Sequence, residues 1–408
     1  MSKIIRRTDI LLPAEVKPEK WSVIACDQFT SDLSYWEETG RIVGESPSTL
    51  HMILPEAWIG TEKAEGAPER IVRTMENYRK KGILRTLPGS MMIVERQTRS
   101  GKIRRGIVAA VDLEAYDYHP ESSAAVKATE RTVEERLAKR LAMRENAPLE
   151  CPHILVFYDD PEFRIREALD KLKGELQEEY CFDLMQGGGR IQGRSLQGQP
   201  AAAVEDAFEY LQAQRECVFA VGDGNHSLAT ARLCWEKIRP SLTEQEQKSH
   251  PARYALAELV NIYDEAVEME AIHRLLAGTD NRDFPEFAKS FFSRLSQEGE
   301  ERILTAGTGR MEISIPVRGL TIGQIVRQAD IMMEQYASLH GGTEDYIHDE
   351  DSARTLGKEE NAAFLLLPPM DREEVFATVR RKEILPKKSF SIGTACDKRY
   401  YLECRQIC

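Results

Sequence analysis

The chain reads as an α/β protein with mixed sheets (α+β), built from a core lobe and a second, smaller α/β domain. Three observations predict this. At 408 residues it exceeds the length at which one hydrophobic core usually stops growing, so two lobes are expected. Short apolar runs alternate with amphipathic stretches along most of its length, the rhythm of strands interleaved with helices. At Val218-Phe219-Ala220-Val221 an apolar strand breaks at Gly222, turns through Asp223-Gly224-Asn225-His226-Ser227 and runs into a helix at Leu228.

In chain order, residues 21–26 read as a buried strand ending at Asp27, and 31–43 as a helix opened by a Ser/Asp cap. A helix over 67–81 stops at Gly82, and strands at 90–97 and 102–112 form a hairpin around Thr98-Arg99-Ser100-Gly101. Density of helix formers and charge predicts a helix over 121–144, then a strand at 154–157 and a helix at 161–180. Gln186-Gly187-Gly188-Gly189-Arg190 has the look of a phosphate loop but lacks the Lys-Ser/Thr of a Walker motif, so a hairpin turn is expected. Helices at 226–238 and 251–259 follow, then a strand-like stretch at 261–272 ending at His273-Arg274. From 276 to 384 helices at 285–295, 321–336, 352–356 and 372–381 alternate with strands at 311–316, 346 and 362–368, which predicts a small α/β domain. The core lobe is then 1–275, and 385–408 returns to it.

Composition narrows the function classes. With 42% hydrophobic and 30% charged residues the chain is an ordinary globular one, and its net charge of −12 argues against a nucleic-acid backbone as partner. Eight scattered cysteines without a CxxC pair point to reduced thiols, with neither a zinc site nor a disulfide framework. A basic start at 1–7 without a following apolar run, and no apolar stretch long enough to span a bilayer, predict a cytoplasmic protein that engages no membrane. The expected partner is a small-molecule substrate, with self-association as a homodimer left open.

The 222–227 turn concentrates the chemistry. A helix entered this way points backbone N–H groups and a partial positive charge at the turn, which makes it an anion site. Gly222 and Gly224 allow close approach of a ligand, while Asp223, Asn225, His226 and Ser227 supply a carboxylate, an amide, an imidazole and a hydroxyl. The alternative is structural: Asn225 or Ser227 caps the helix and the glycines serve a tight turn. Asp159-Asp160-Pro161 has two readings as well, a Mg²⁺ site or a strand end that caps the next helix. No cysteine sits in a Gly-flanked strand-to-helix turn beside a histidine, so a thiol nucleophile is not expected.

The run from Gly222 to Ala231 resembles the signature, commonly Asp-Gly-His-His-Arg, of the bacterial family catalogued as domain of unknown function 1015. Thr129-Glu130-Arg131-Thr132 with Arg136, Tyr158-Asp159-Asp160-Pro161, Ile272-His273-Arg274 and Leu385-Pro386-Lys387-Lys388-Ser389 match that family in order over nearly the whole chain. Its signature is similar to the phosphate-contacting motif of the ParB/sulfiredoxin-like superfamily, which includes nucleotide-dependent free serine kinases.

The resemblance implies a ParB/sulfiredoxin-like core lobe in which Gly222, Asp223, Gly224, Asn225, His226 and Ser227 cradle the phosphates of ATP or another nucleotide. Asp223 would take Mg²⁺, His226 and Arg274 would supply charge, and Glu130 or Asp27 would act as the base. Arg136, His273, Lys387 and Lys388 would make further nucleotide contacts. The sequence departs from the pattern at Asn225, where the family has His, and at Ser227, where it has Arg. The second change removes a bidentate phosphate clamp, to be replaced by Arg274 or Arg144 if phosphoryl transfer survives. Structural alternatives remain: Glu130 as an ion-pair partner of Arg131, Lys127 or Arg136, His273-Arg274 as a packed pair, and Lys387-Lys388 as a solvated one.

The leading expectation is an ATP-dependent phosphotransferase, a kinase of a small hydroxylated metabolite such as serine. A ligand- or nucleotide-binding regulatory protein without catalysis is the second reading. Metal-assisted phosphoester hydrolysis by Asp159, Asp160, Asp223 and His226 is the third.

Overall fold

The computed structural model describes residues 3–132 and 134–408, with side chains except at 134–136 and 139. The chain divides into two compact units, Met1–Val267 with Ala395–Cys408, and Glu268–Thr394. The expected boundary after 275 cuts the strand His273–Ala277, which pairs on both sides within the second unit. Residues 395–408 return to the first unit, whereas Phe390–Ile392 stays in the second, paired with Met269–Ala271.

The first unit is built on a mixed, 11-stranded sheet. The strand Tyr254–Asn261 lies at its centre, antiparallel to Ile103–Asp112 and parallel to Leu155–Tyr158. Beyond Leu155–Tyr158 come Phe219–Asp223, antiparallel to it, and Val126–Ala128, parallel to Phe219–Asp223. Apolar clusters cover the sheet: one around Trp21, Trp36 and Tyr400, another around Phe208, Phe219 and Trp235. Burial on that scale supplies the main favourable term in folding.

The 90–97/102–112 hairpin and the 186–190 turn form as expected, and Asp32 caps the helix Leu33–Val43 by accepting from the Tyr35 amide. Several elements differ, for a common reason. Residues 251–259, rich in alanine and read as helix, form only one short helical turn, Pro251–Arg253, before the central strand Tyr254–Asn261, all eight residues of which are buried. Among its described residues the charged 121–144 stretch yields a helix over Glu134–Arg144 alone, because Val126–Ala128 pairs with Phe219–Val221. The 161–180 helix is confined to Arg164–Lys171, and Gln177–Asp183 is an edge strand. At 21–26, one helical turn, Pro18–Trp21, precedes a two-residue strand, Val23–Ile24, paired with Tyr400–Tyr401. In each case a partner strand overrides local propensity, distant in sequence for all but Gln177–Asp183, which pairs with its hairpin neighbour Arg190–Gln197.

The second unit carries a five-stranded antiparallel sheet in the order Glu312–Arg318, Glu301–Thr308, Ala362–Leu366, His273–Ala277, Thr343–Ile347. Its helices are Phe284–Ser293, Ile322–His340, Glu350–Leu356 and Arg372–Arg380. The longest opens on a capping box in which Thr321 and Gln324 satisfy each other's backbone amides. Among the described residues no helix is long and apolar enough to cross a membrane.

Candidate functional site

The strand Phe219–Asp223 ends where the helix Asn225–Ile238 begins, and Gly224 joins them with φ +75°. A Cβ at Gly224 would lie 2.9 Å from Ile154 Cα, so both the left-handed backbone and the close packing require glycine. Gly224 is the N-cap, and no side chain among the described residues caps the helix. The helix is fourteen residues long, so its N-terminal field is intact.

Neither residue proposed as a cap serves as one. The Asn225 amide faces sideways: Oδ1 accepts from Tyr116 Oη at 2.9 Å, and Nδ2 donates to Thr132 Oγ1 at 2.8 Å and to the Glu130 carbonyl at 3.3 Å. Asn225 thereby ties the 129–132 loop, which carries half-buried Glu130, to the start of the helix. Thr129 adds a bond from its hydroxyl to the Val221 carbonyl at 2.7 Å. Ser227 Oγ accepts from Arg140 Nη1 at 3.2 Å. His226 is half-buried in the same first turn, and its carbonyl accepts from Thr230 Oγ1 at 2.7 Å.

Arg140 brings a cation to the first turn of this helix. It projects from the helix Glu134–Arg144, donates also to Glu56 Oε1 at 2.6 Å, and lies in the field of Asp27 and Cys26. Burial works against its charge, but the surrounding Cys26, Asp27 and Glu56 side chains hold it above its ordinary range. Lys398, on the C-terminal return, sits 3.3 Å from Asp223 Oδ2, while Asp223 Oδ1 accepts from the Gly224 amide at 2.9 Å.

Asp27 stands behind Arg140, its Oδ2 3.5 Å from His153 Nε2. Burial would raise its carboxyl, but the His153 ring, aided by Gln28 and Arg140, holds it well below the usual aspartate range. His153 is buried, and its Nδ1 shares a 2.9 Å hydrogen bond with Tyr401 Oη. Tyr401 accepts in turn from the Cys26 amide at 3.2 Å. Burial and the adjacent Asp27 charge push the Cys26 thiol up to about 12, which leaves it a poor nucleophile.

Asp27, Glu130, Gly222, Asp223, Gly224, Asn225, His226 and Ser227 thus all lie in the first unit, where Arg140 bonds Ser227 and lies in the field of Asp27, and Asn225 bonds the Glu130 carbonyl. The Arg136 side chain lies outside the described residues. Arg144 is turned away, 2.5 Å from Glu150 Oε2. Arg274, His273, Lys387 and Lys388 belong to the second unit.

There Arg274 is wholly buried and paired, the structural one of its two readings and not the cation for a nucleotide. Its Nε donates to Asp330 Oδ1 at 2.8 Å, its Nη1 to the Ile272 and Lys388 carbonyls, and its guanidinium covers the Tyr346 ring. His273 Nδ1 accepts from the Leu367 amide at 3.2 Å, and burial lowers its pKa, so it is held neutral. Lys387 and Lys388 are exposed.

The hydrolase reading loses its carboxylates. Asp159 pairs with Arg215 at 3.0 Å and accepts from Tyr263 at 3.1 Å, and Asp160 caps the next helix by accepting from the Ile165 amide at 2.9 Å. Among the described residues no three His, Cys, Asp or Glu converge as a metal site. Asp223 alone, already bonded to Gly224 and Lys398, does not form a cage for a resident Mg²⁺. An uncapped helix N-terminus flanked by Arg140 and Lys398 fits an oxyanion instead.

Sequence reasoning missed Arg140, His153, Lys398 and Tyr401. Arg140 had a signal, lying one helical turn beyond Arg136 of the matched motif and so on the same face. Lys398 and Tyr401 had none, because only the fold returns the C-terminal segment to this place.

These features define a two-unit α/β protein with a cluster of polar and charged side chains at a strand-to-helix junction. The chain belongs to the family described as "Protein of unknown function (DUF1015)", which matches residues 8–401. No curated protein matches it. Among solved structures it is similar to a mutant free serine kinase in complex with ADP, with a TM-score of 0.37, 10% identity, and 76% of this chain and 94% of that one covered. It is also similar to SbnI with a C-terminal truncation from Staphylococcus aureus, with a TM-score of 0.35, 11% identity and coverages of 69% and 80%. A conserved hypothetical protein from Pyrococcus furiosus gives a TM-score of 0.29, 11% identity and coverages of 72% and 90%.

Proposed function

We propose that the first unit binds the phosphates of ATP or a related nucleotide at the N-terminus of the helix Asn225–Ile238 and transfers a phosphoryl group to a small hydroxylated metabolite of the serine type. The observation that carries this reading is Arg140 on Ser227 Oγ: where the matched signature loses its arginine, a cation from another helix occupies the turn. Arg140 and Lys398 flank the turn, and both would exchange their present partners for phosphate oxygens. Asp223, freed from Lys398, is the carboxylate beside a Mg²⁺ that arrives with the nucleotide and keeps most of its own water.

Two carboxylates compete for the proton of the substrate hydroxyl. Asp27 is a weak base as it stands, because His153 stabilises its charge. Glu130, held beside the helix by Asn225, is the second candidate. His226 supplies an imidazole in the same turn, while Arg136, His273, Arg274, Lys387 and Lys388 have no assigned part in this scheme. A regulatory, non-catalytic nucleotide binder is the second reading, favoured by the mutual pairing of Asp27 with His153 and Asp223 with Lys398.

Phosphorus NMR of ATP incubated with the protein, Mg²⁺ and a panel of hydroxylated metabolites that includes serine separates the readings. Phosphotransfer predicts ADP and a new phosphomonoester resonance, lost in Glu130→Gln or in Asp27→Asn. Binding of ATP without turnover would leave the regulatory reading, and no binding would end both.

A further inference from the structure

The hairpin strands Leu84–Gln97 and Ile103–Asp112 place Arg96 directly opposite Arg104, and both guanidinium groups are buried. Two like charges side by side out of water are costly, and burial together with Arg104 pulls Arg96 down to about 10. Their donors converge on one target. Arg96 Nη1 donates to the carbonyls of Asp397 at 3.2 Å and Lys398 at 2.5 Å, and Nη2 donates to that of Cys396. Arg104 Nη1 donates to the Asp397 carbonyl at 2.9 Å.

Arg96 also holds the Gly188 carbonyl through Nε and Nη2, at 3.2 and 2.9 Å, which ties the clamp to the neighbouring hairpin turn. On the other side of the segment the Asp397 carboxylate accepts from the Arg99 amide at 2.7 Å. Three consecutive carbonyls are thus gripped, and the segment so gripped presents Lys398 to Asp223 and, three residues on, Tyr401 to His153. Arg399, between them, is fixed by Glu258 at 2.6 Å and by the carbonyl of Pro152, the residue before His153.

We infer that Arg96, seconded by Arg104, is a positioning residue that sets the register of the C-terminal return so that Lys398 completes the site. The inference deepens the proposed phosphate site and takes its ligand class, a nucleoside di- or triphosphate, from that reading. A guanidinium is suited to the task because its planar fork can hold several carbonyls at once, which an ammonium cannot. Neither arginine touches the ligand, and the effect of each passes through Lys398.

The test uses the full-length protein with lysines reductively ¹³C-methylated, the Lys398 resonance being assigned with Lys398→Arg. In the native protein that resonance should stand apart from those of solvent-exposed lysines and move on Asp223→Asn. In Arg96→Lys it should collapse towards the exposed lysines, and the ATP dissociation constant should rise roughly tenfold, the loss of about one charge-assisted contact. In a Lys398→Met background Arg96→Lys should cause no further loss, which a purely structural role would not produce. Should Arg96→Lys fail to fold, Arg104→Gln, which removes one bond to the same segment, gives the same reading at smaller amplitude. A folded Arg96→Lys or Arg104→Gln with the Lys398 resonance unmoved overturns the inference. Absence of nucleotide binding by the native protein, with the resonance still responding to Arg96, defeats the phosphate reading and leaves the positioning role standing.

Discussion

Asn225→Ala is the sharpest probe of how the turn is held. The substitution removes hydrogen bonds to Tyr116 Oη at 2.9 Å, Thr132 Oγ1 at 2.8 Å and the Glu130 carbonyl at 3.3 Å. Tyr116 and Thr132 are buried, so water cannot readily replace the lost amide at either hydroxyl. Leaving a buried polar group unsatisfied costs about 1–3 kcal/mol, and the longer third bond adds less, so a loss of about 2–4 kcal/mol is expected. The assay is specific to the correct unit: all four tryptophans, 21, 36, 58 and 235, lie in the first unit, so their fluorescence in urea follows that unit alone. Asn225→Asp is the control, since it keeps the acceptor for Tyr116 but loses both donors and sets a carboxylate against a carbonyl oxygen. It should fare no better than alanine. A change below about 0.5 kcal/mol for Asn225→Ala, the range of an inert surface substitution, would refute the reasoning.

Gly224→Ala should destabilise the same transition by about 2–3 kcal/mol, through the left-handed backbone and the 2.9 Å approach to Ile154 Cα, whereas Gly40→Ala, with open space around it, should not. Asp27→Asn should lower stability at neutral pH. Because the folded carboxyl lies below its ordinary value of 3.8, the contribution is complete above that pH and is lost as pH falls through the folded value, so the mutant and native curves should converge in acid. Arg274→Met should leave Asp330 beside a vacated partner and weaken the second unit by about 3 kcal/mol, seen as faster amide exchange across His273–Ala277.

Much of the architecture was legible because it rests on local signals. Asp32 before Leu33–Val43 and the Gly-rich 186–190 turn specify their own geometry, and so does the glycine break after Val221. The central strand was not legible: Tyr254–Asn261 carries five successive residues of helix-favouring character, Ala255 to Leu259, and becomes a strand only because two neighbours bracket it. The strand, glycine turn and helix over 219–238 were legible from their local pattern, whereas Glu130 was singled out only through the family resemblance. Arg274 kept two readings because an arginine at a strand end looks the same in sequence whether it faces a ligand or, as here, a half-buried aspartate. Lys398 and Tyr401 reach the site through contacts spanning most of the chain, and no periodicity records such a return.

The central claim is that the turn at 224–227, with Arg140 beside it, grips a polyphosphate. Calorimetric titration of ADP into the native protein and into Arg140→Gln tests it directly. The account predicts binding by the native protein and roughly ten- to hundredfold weaker binding by the variant, the worth of a charge-assisted contact of about 1.5–3 kcal/mol. Equal affinity in the two proteins, or no heat from a folded native protein, would contradict it.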